Sequence, residues 1–175
     1  MIETEQSVRI KAPIQAVWAY AKDVERWAEI MPGYQECQIA DEDNSRWVLK
    51  IGVGGLVRTV KVQVHVDRWA GPEAVDFSVK LEGDPVTGSG AYRAVAADGE
   101  TDVTLHVRVE GQGPMAPMWE AMGGPMLPKF ARSFAEQLRD RIEQIAGGAT
   151  LAEVTAARPS LWARFIAWLK RLFGG

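Results

Sequence analysis

Cys37 is the only cysteine, so no disulfide can form within the chain. Cysteine-poor usage fits a reducing cytoplasm. At 175 residues the chain is long enough to bury a core without disulfide or metal support. Histidine is nearly as scarce: His65 and His106 are the whole supply. With so few soft ligands, no cluster has the spacing that a metal requires. Long apolar runs are also missing. No stretch reaches the roughly 18 consecutive apolar residues of a membrane-spanning helix. The opening residues MIETEQSVRI carry acids and no apolar run, which does not suit a secretion signal. Acids then disappear after Glu153, while Arg158, Arg164, Lys170 and Arg171 follow. The net charge is −3 overall, so this +4 segment leaves −7 on the body. An acidic body argues against nucleic acid as a partner. An anionic membrane would repel it too.

What is present is a change of period along the chain. Met1 to Ile10 alternates as a strand, and Ala12-Pro13 opens a helix with Ile14, Val17, Trp18 and Ala21 at helical spacing. Asp23 is placed to cap a second short helix through Trp27 and Ile30, which stops at Pro32-Gly33. The period then becomes two. Strands are expected over Gln35 to Ile39, Arg46 to Val53, 57 to 69, 75 to 82 and 101 to 110. In the third, Val60, Val62, Val64 and Val66 share one face, opposite Lys61, Gln63, His65 and Asp67. Turn signals such as Ala70-Gly71-Pro72, Gly83-Asp84-Pro85 and Asp98-Gly99 separate strands. This pattern predicts an antiparallel sheet with one wet and one dry face. Pro114 to Ile145 begins broken, rich in glycine and proline. From Lys129 it becomes a helix with Phe130, Phe134, Leu138, Ile142 and Ile145 on one stripe, ended by Ala146-Gly147-Gly148. The class is α+β: a curved antiparallel sheet wrapped around a long C-terminal helix, with two short helices near the N-terminus.

Catalytic groups do not assemble in this pattern. His65 and His106 fall on the wet phase of their strands, and Cys37 has no basic or metal-binding company. The glycines of GVGG and GSG lie in strand-like contexts with no following helix, so they do not cradle phosphate; Gly88 and Gly90 instead suggest a bulge or bend. No nucleophile, base and orienting group can be nominated together.

The dry face suggests a ligand cavity. Its expected walls are Val75, Phe77, Val79, Tyr92, Val103, Leu105 and Val107 from the sheet, with Phe130, Phe134 and Leu138 from the helix. Mostly valines, with Gly88 and Gly90 nearby, should leave space. Met115, Met118, Trp119, Met122 and Met126 crowd one stretch beside Gly123-Gly124 and suggest a portal, because methionine adapts its shape. No cation or acid is identified in the inward phase, so the expected guest is long and uncharged.

The last stretch, SLWARFIAWLKRLFGG, reads as a separate element. On a helix, Leu161, Trp162, Phe165, Ile166, Trp168, Leu169, Leu172 and Phe173 occupy about 160° of arc. Arg164, Lys170 and Arg171 fall on the remainder. At about 20 Å it is shorter than the roughly 30 Å hydrocarbon core. An aromatic face opposite cations suits a helix lying in a membrane interface. A protein groove could use the same anchors. The expected division is a domain over 1–146, a linker over 147–159 and an amphipathic helix over 160–175.

Several stretches carry a family resemblance. VRIKAPIQAVWAYAKDVERWAEIMPGYQECQI resembles the opening of the START-like, helix-grip superfamily. KIGVGGLVRTVKVQV, VTGSGAYRA and VEGQGPMAPMWEAMGGPMLPKFARSFAEQLRDRIEQI are similar to the CoxG family of carbon monoxide dehydrogenase accessory proteins. Val60-Lys61-Val62 departs from that family's frequent Phe-x-Gly. The resemblance implies a bound hydrophobic ligand such as a quinone and no covalent cofactor. It also implies recruitment of a molybdenum-type carbon monoxide dehydrogenase to the inner face of the cytoplasmic membrane. Three readings stay open: a non-enzymatic, tethered binding module; a polyketide cyclase/aromatase-like enzyme using the same cavity; and a ligand-free protein adaptor.

Overall fold

The computed structural model describes residues 1–53 and 55–148. The chain begins with β1 (Ile2–Ile10), followed by two short helices, α1 (Ile14–Ala21) and α2 (Val24–Glu29). The expected cap holds: the Asp23 carboxylate accepts a hydrogen bond from the Glu25 backbone N–H at the start of α2. Six strands come next: β2 (Tyr34–Ile39), β3 (Asn44–Val53), β4 (Leu56–Ala70), β5 (Ala74–Leu81), β6 (Val86–Ala97) and β7 (Glu100–Gly111). Helices α3 (Ala116–Gly123) and α4 (Leu127–Ala146) complete the described part. The break anticipated before Lys129 is therefore the junction between two helices.

All neighbouring strands run antiparallel in one curved seven-stranded sheet, ordered β1-β7-β6-β5-β4-β3-β2. β1 crosses to pair with β7, which puts the first and last strands of the sequence side by side. Asp98 and Gly99 both take positive φ, 50° and 80°, as a two-residue hairpin between β6 and β7 needs. Gly33 turns the chain from α2 into β2 at φ 80°, and a Cβ there would lie 1.9 Å from the Lys50 carbonyl oxygen. Only glycine fits that approach.

β6 is an element the sequence pattern underplays, since Thr87-Gly88-Ser89-Gly90 has weak strand propensity. Its pairing with β5 and β7 runs without a register shift past both glycines, so neither marks a bulge. The irregularities lie between Val66 and Arg68 and between Tyr34 and Glu36.

Helix α4 packs on the concave side against β1 and α1. Its buried stripe is Ala131, Ala135, Leu138, Arg141 and Ile142. This stripe is rotated from the expected one in its first half. Small alanines face the sheet and allow close approach, while Phe130 and Phe134 sit half-buried at the edge. The C-terminal half is held where Glu143 accepts from the Lys11 backbone N–H, while Ile2 of β1 lies beside Gly123 at the end of α3. The linker beyond Gly148 and the amphipathic segment 160–175 lie outside the described residues. Among the described residues no helix is long and apolar enough to cross a membrane.

Candidate functional site

The concave face divides into a solid end and an open end. Cross-strand registers set rows of inward residues: Val103–Ala94, then Leu105–Tyr92–Val75, then Val107–Gly90–Phe77–Val66, then Val109–Gly88–Val79–Val64. In the first two rows every member is buried. In the next two, Val107, Phe77, Val109 and Val79 are only half-buried, as is Leu81 beyond them. Apolar side chains that face the inside of a fold and yet stay half-buried line a groove. On α4, Phe134 is linked to this floor through Trp27, and Phe130, one turn before it, is half-buried as well.

Trp27 closes the solid end. Its ring meets Phe77 edge-on at 5.6 Å, Phe134 edge-on at 6.4 Å and Tyr92 at 6.3 Å between centroids. Such pairs hold rings in place beyond simple burial. The Trp27 indole N–H donates to the Ala21 carbonyl at 2.8 Å. Tyr92 is 1% exposed and its hydroxyl has no partner. Burial pushes the Tyr92 phenol well above its ordinary range, so it stays protonated.

The space expected from glycine is already used. A Cβ on Gly90 would lie 2.1 Å from Phe77 Cζ, and one on Gly88 would lie 2.9 Å from Val79 Cγ2. The ring of Phe77 thus lies over Gly90. Gly88 and Gly90 let larger neighbours lean inward rather than leaving room.

Of the expected walls, Phe77, Val79, Val107, Phe130 and Phe134 border the groove, whereas Val75, Val103, Leu105 and Leu138 belong to the packed core. Tyr92 stands where the two meet. The portal stretch is placed differently. α3 has no buried residue; Met115, Met118 and Met122 are exposed, while Trp119 and Met126 are half-buried. The three exposed methionines share one face of the helix at spacings of three and four. Leu56 and Val57, at the β3–β4 tip, are exposed as well.

Arg141 overturns the expectation of an uncharged interior, and Arg58 adds an exposed cation in the inward phase at its rim. Arg58 is in phase with Val60 and Val62 and lies on the concave side. Its guanidinium sits 5.8 Å from the Trp119 ring centroid and 2.6 Å from the Asp84 carboxylate. It therefore joins the β3–β4 tip, the β5–β6 turn and α3 across the mouth of the groove. The alternation over 57–69 carries that signal. Arg141 is buried on α4.

Outside the groove the described residues form no reaction centre. His65 and His106 lie on the outer face, beside Asn44 and Asp67 and beside Glu3. The Cys37 thiol is pushed up to about 11, by burial first and then by Glu25, Asp23 and Glu29, so it is a poor nucleophile. Among the described residues no group of His, Cys, Asp and Glu side chains is arranged for a metal. Open pockets of about 690 and 670 Å³ are also present: one around Arg46, Gln63 and Lys80 that borders Val64, Val79 and Gly88 as well, the other between α1–α2 and the β2–β3 turn.

Solved structures share this architecture. A conserved protein from Geobacillus kaustophilus superposes with a TM-score of 0.70 at 20% identity, covering 82% of this chain and 96% of its own. A START superfamily protein from Mycobacterium smegmatis gives 0.62 at 16% identity, over 82% and 98%. The di-domain ARO/CYC StfQ of the steffimycin biosynthetic pathway gives 0.60 at 9% identity, over 83% of this chain and 52% of that one. At such identities these likenesses speak to the fold, which is the helix-grip arrangement. A family model for polyketide cyclase/dehydrase and lipid transport proteins matches residues 1–143, and on that match the chain belongs to this family.

Proposed function

We propose that this protein is a membrane-tethered binding module for a long apolar molecule, a quinone being the leading candidate. The observation that carries the reading is the half-buried apolar floor of Phe77, Val79, Val107 and Val109, joined through Trp27 to Phe134 of α4. The family's description, lipid transport, supports it. The exposed Leu56, Val57, Met115, Met118 and Met122 at the mouth also support it, because apolar side chains beside a groove suit contact with lipid. The basic aromatic segment 160–175 supplies the tether in this reading. Delivery of an electron-carrying guest to a molybdenum-type carbon monoxide dehydrogenase at the inner face of the cytoplasmic membrane is the finer form of the proposal. It rests on the similarity of KIGVGGLVRTVKVQV and VTGSGAYRA to the CoxG family.

A cyclase-type enzyme is the second reading, favoured by the family's description and by the buried Tyr92 hydroxyl. It would need a base near the guest. None stands beside Tyr92 among the described residues of the Leu105–Tyr92–Val75 row.

A plug separates binding from folding. Leu105 is unsuited to it, since at 5% exposure it is part of the packed core. Val107 lines the groove, so Val107→Trp should fill it and keep it apolar. Displacement of a neutral hydrophobic dye by menadione should weaken at least about tenfold in that variant. Association with vesicles should be unchanged. Parent-like menadione affinity in folded Val107→Trp would remove the groove as the site.

A further inference from the structure

Among the described residues, two fully buried side-chain polar atoms have no hydrogen-bond partner, Tyr92 Oη and Arg46 Nε, whereas several neighbours in the core are paired. Trp27 Nε1 donates to Ala21 O at 2.8 Å, Trp47 Nε1 to Ser45 Oγ at 2.9 Å, and Thr101 Oγ1 to Ala12 O at 2.8 Å. Tyr92 Oη has none. The other unpaired buried atom, Arg46 Nε, belongs to the outer face, where the same guanidinium binds Glu82. Native proteins pair the great majority of buried polar groups, and an unpaired hydroxyl is costly. Phenylalanine would avoid that cost, and the same aromatic cluster uses it at Phe77 and Phe134. The hydroxyl therefore asks for a reason.

Its position offers one. Tyr92 lies on the concave side in the first fully buried row behind the half-buried Val107–Gly90–Phe77 row. The Trp27 ring lies beside it, and Leu105 and Val75 stand opposite it on the neighbouring strands. A guest that passes the Arg58–Asp84 pair at the α3 mouth then meets the apolar side chains of Phe77 and Val107 before Tyr92. A protonated phenol donates a hydrogen bond. No charged side chain pairs with Tyr92 Oη, and Arg141 stands on α4 about two turns beyond Phe134, so a charged head group at the hydroxyl would have no counter-charge in contact with it.

We propose that Tyr92 Oη donates a hydrogen bond to a carbonyl oxygen at the leading end of the guest, which makes the groove selective for neutral apolar carbonyl compounds over hydrocarbons. This rests on the groove being the binding site. It adds the chemistry and the polarity of insertion: oxygen inward, hydrocarbon toward α3. Quinones, aryl ketones and esters share the required atom.

Benzophenone and diphenylmethane differ by a carbonyl in place of a methylene, so they test the hydrogen bond alone. Full-length protein, stripped of lipid, would be titrated with each by displacement of N-phenyl-1-naphthylamine. The parent should bind the ketone about five- to tenfold more tightly than Tyr92→Phe does, the worth of one buried hydrogen bond. Diphenylmethane should bind both proteins equally. The infrared carbonyl stretch of bound benzophenone should sit lower in the parent than in Tyr92→Phe. Ligand-free Tyr92→Phe should melt no lower than the parent, because it removes an unpaired hydroxyl. Equal ketone affinity in the two proteins, with both probes binding, overturns the hydrogen bond and leaves the groove standing. Failure of both probes to displace the dye from the parent overturns the groove and this inference with it. A markedly lower melting temperature for the ligand-free variant also counts against it, since the hydroxyl would then have a partner within the fold.

Discussion

Glycine at position 90 shows how one missing side chain shapes the site. Tyr92 was expected on the dry face, but β6 as a strand was not legible from alternation, and what fills an inward glycine depends on the strand beside it. Cross-strand registry puts Phe77 opposite Gly90, and the ring leans over the bare backbone. From there it reaches Trp27 and becomes the inner floor of the groove. Gly90→Ala should therefore act through Phe77. The added methyl would fall 2.1, 2.5 and 2.8 Å from three ring atoms, so the ring must rotate or the strands must part. Overpacking of this kind costs about 1–3 kcal/mol. A lower urea midpoint with unchanged slope is the expected result, together with altered ligand affinity as the floor moves. An unchanged midpoint would mean that Phe77 swings aside freely and that the glycine is not required. Such pairings cannot be read from a sequence without the register, which is why the glycines suggested empty space.

At the level of elements, α3 is the least anchored helix. It buries none of its residues, and its methionines face outward. It touches the end of β7, where Gly111 lets Ala116 and Trp119 approach, and it meets Arg58. The Met1 ammonium also pairs with Glu120 at the surface. Arg58 bridges Trp119 and Asp84, so three separate segments meet at one exposed guanidinium. A cation–π contact at such a site is worth about 0.5–1 kcal/mol, and an exposed ion pair adds little more. Arg58→Ala should thus leave global stability nearly unchanged. Hydrogen exchange in 116–123 should accelerate by about two- to fivefold, with faster association and dissociation of dye from the groove. Exchange confined to global unfolding would show that α3 does not open by itself. The helix break was legible from Gly123-Gly124-Pro125 and Pro128. The outward turn of the methionines was not, because a helix only eight residues long can present its apolar face to either side.

The molecule as a whole follows the order that alternation and helical spacing announced: strand, two helices, antiparallel strands, long helix. Periodicity reports which face of an element is dry, so the core residues Val64, Val66, Val75, Val103 and Leu138 were legible. It does not report how far a dry face is covered, and the division between packed core and open groove emerges only from assembly. Charge distribution belongs to the same scale. The body carries −7 and the segment after Glu153 carries +4, so body and tail should respond oppositely to an anionic surface. The mouth residues Leu56, Val57 and Met118 are apolar and lack the charge to draw the body toward such a surface. In the proposed division of labour, the tail brings the protein to lipid and the mouth exchanges the guest. Two variants of the full chain separate these roles. Arg164→Glu, Lys170→Glu and Arg171→Glu together should weaken binding to phosphatidylserine vesicles by about 1 kcal/mol or more for each cation, with strong dependence on salt. Leu56→Asp with Met118→Asp should leave vesicle binding nearly intact and slow the transfer of menadione from protein to vesicle. Vesicle binding that ignores both salt and the triple reversal would assign the tail to a protein groove instead of a membrane. Transfer that is unaffected by acids at the mouth would show that the guest leaves by another route.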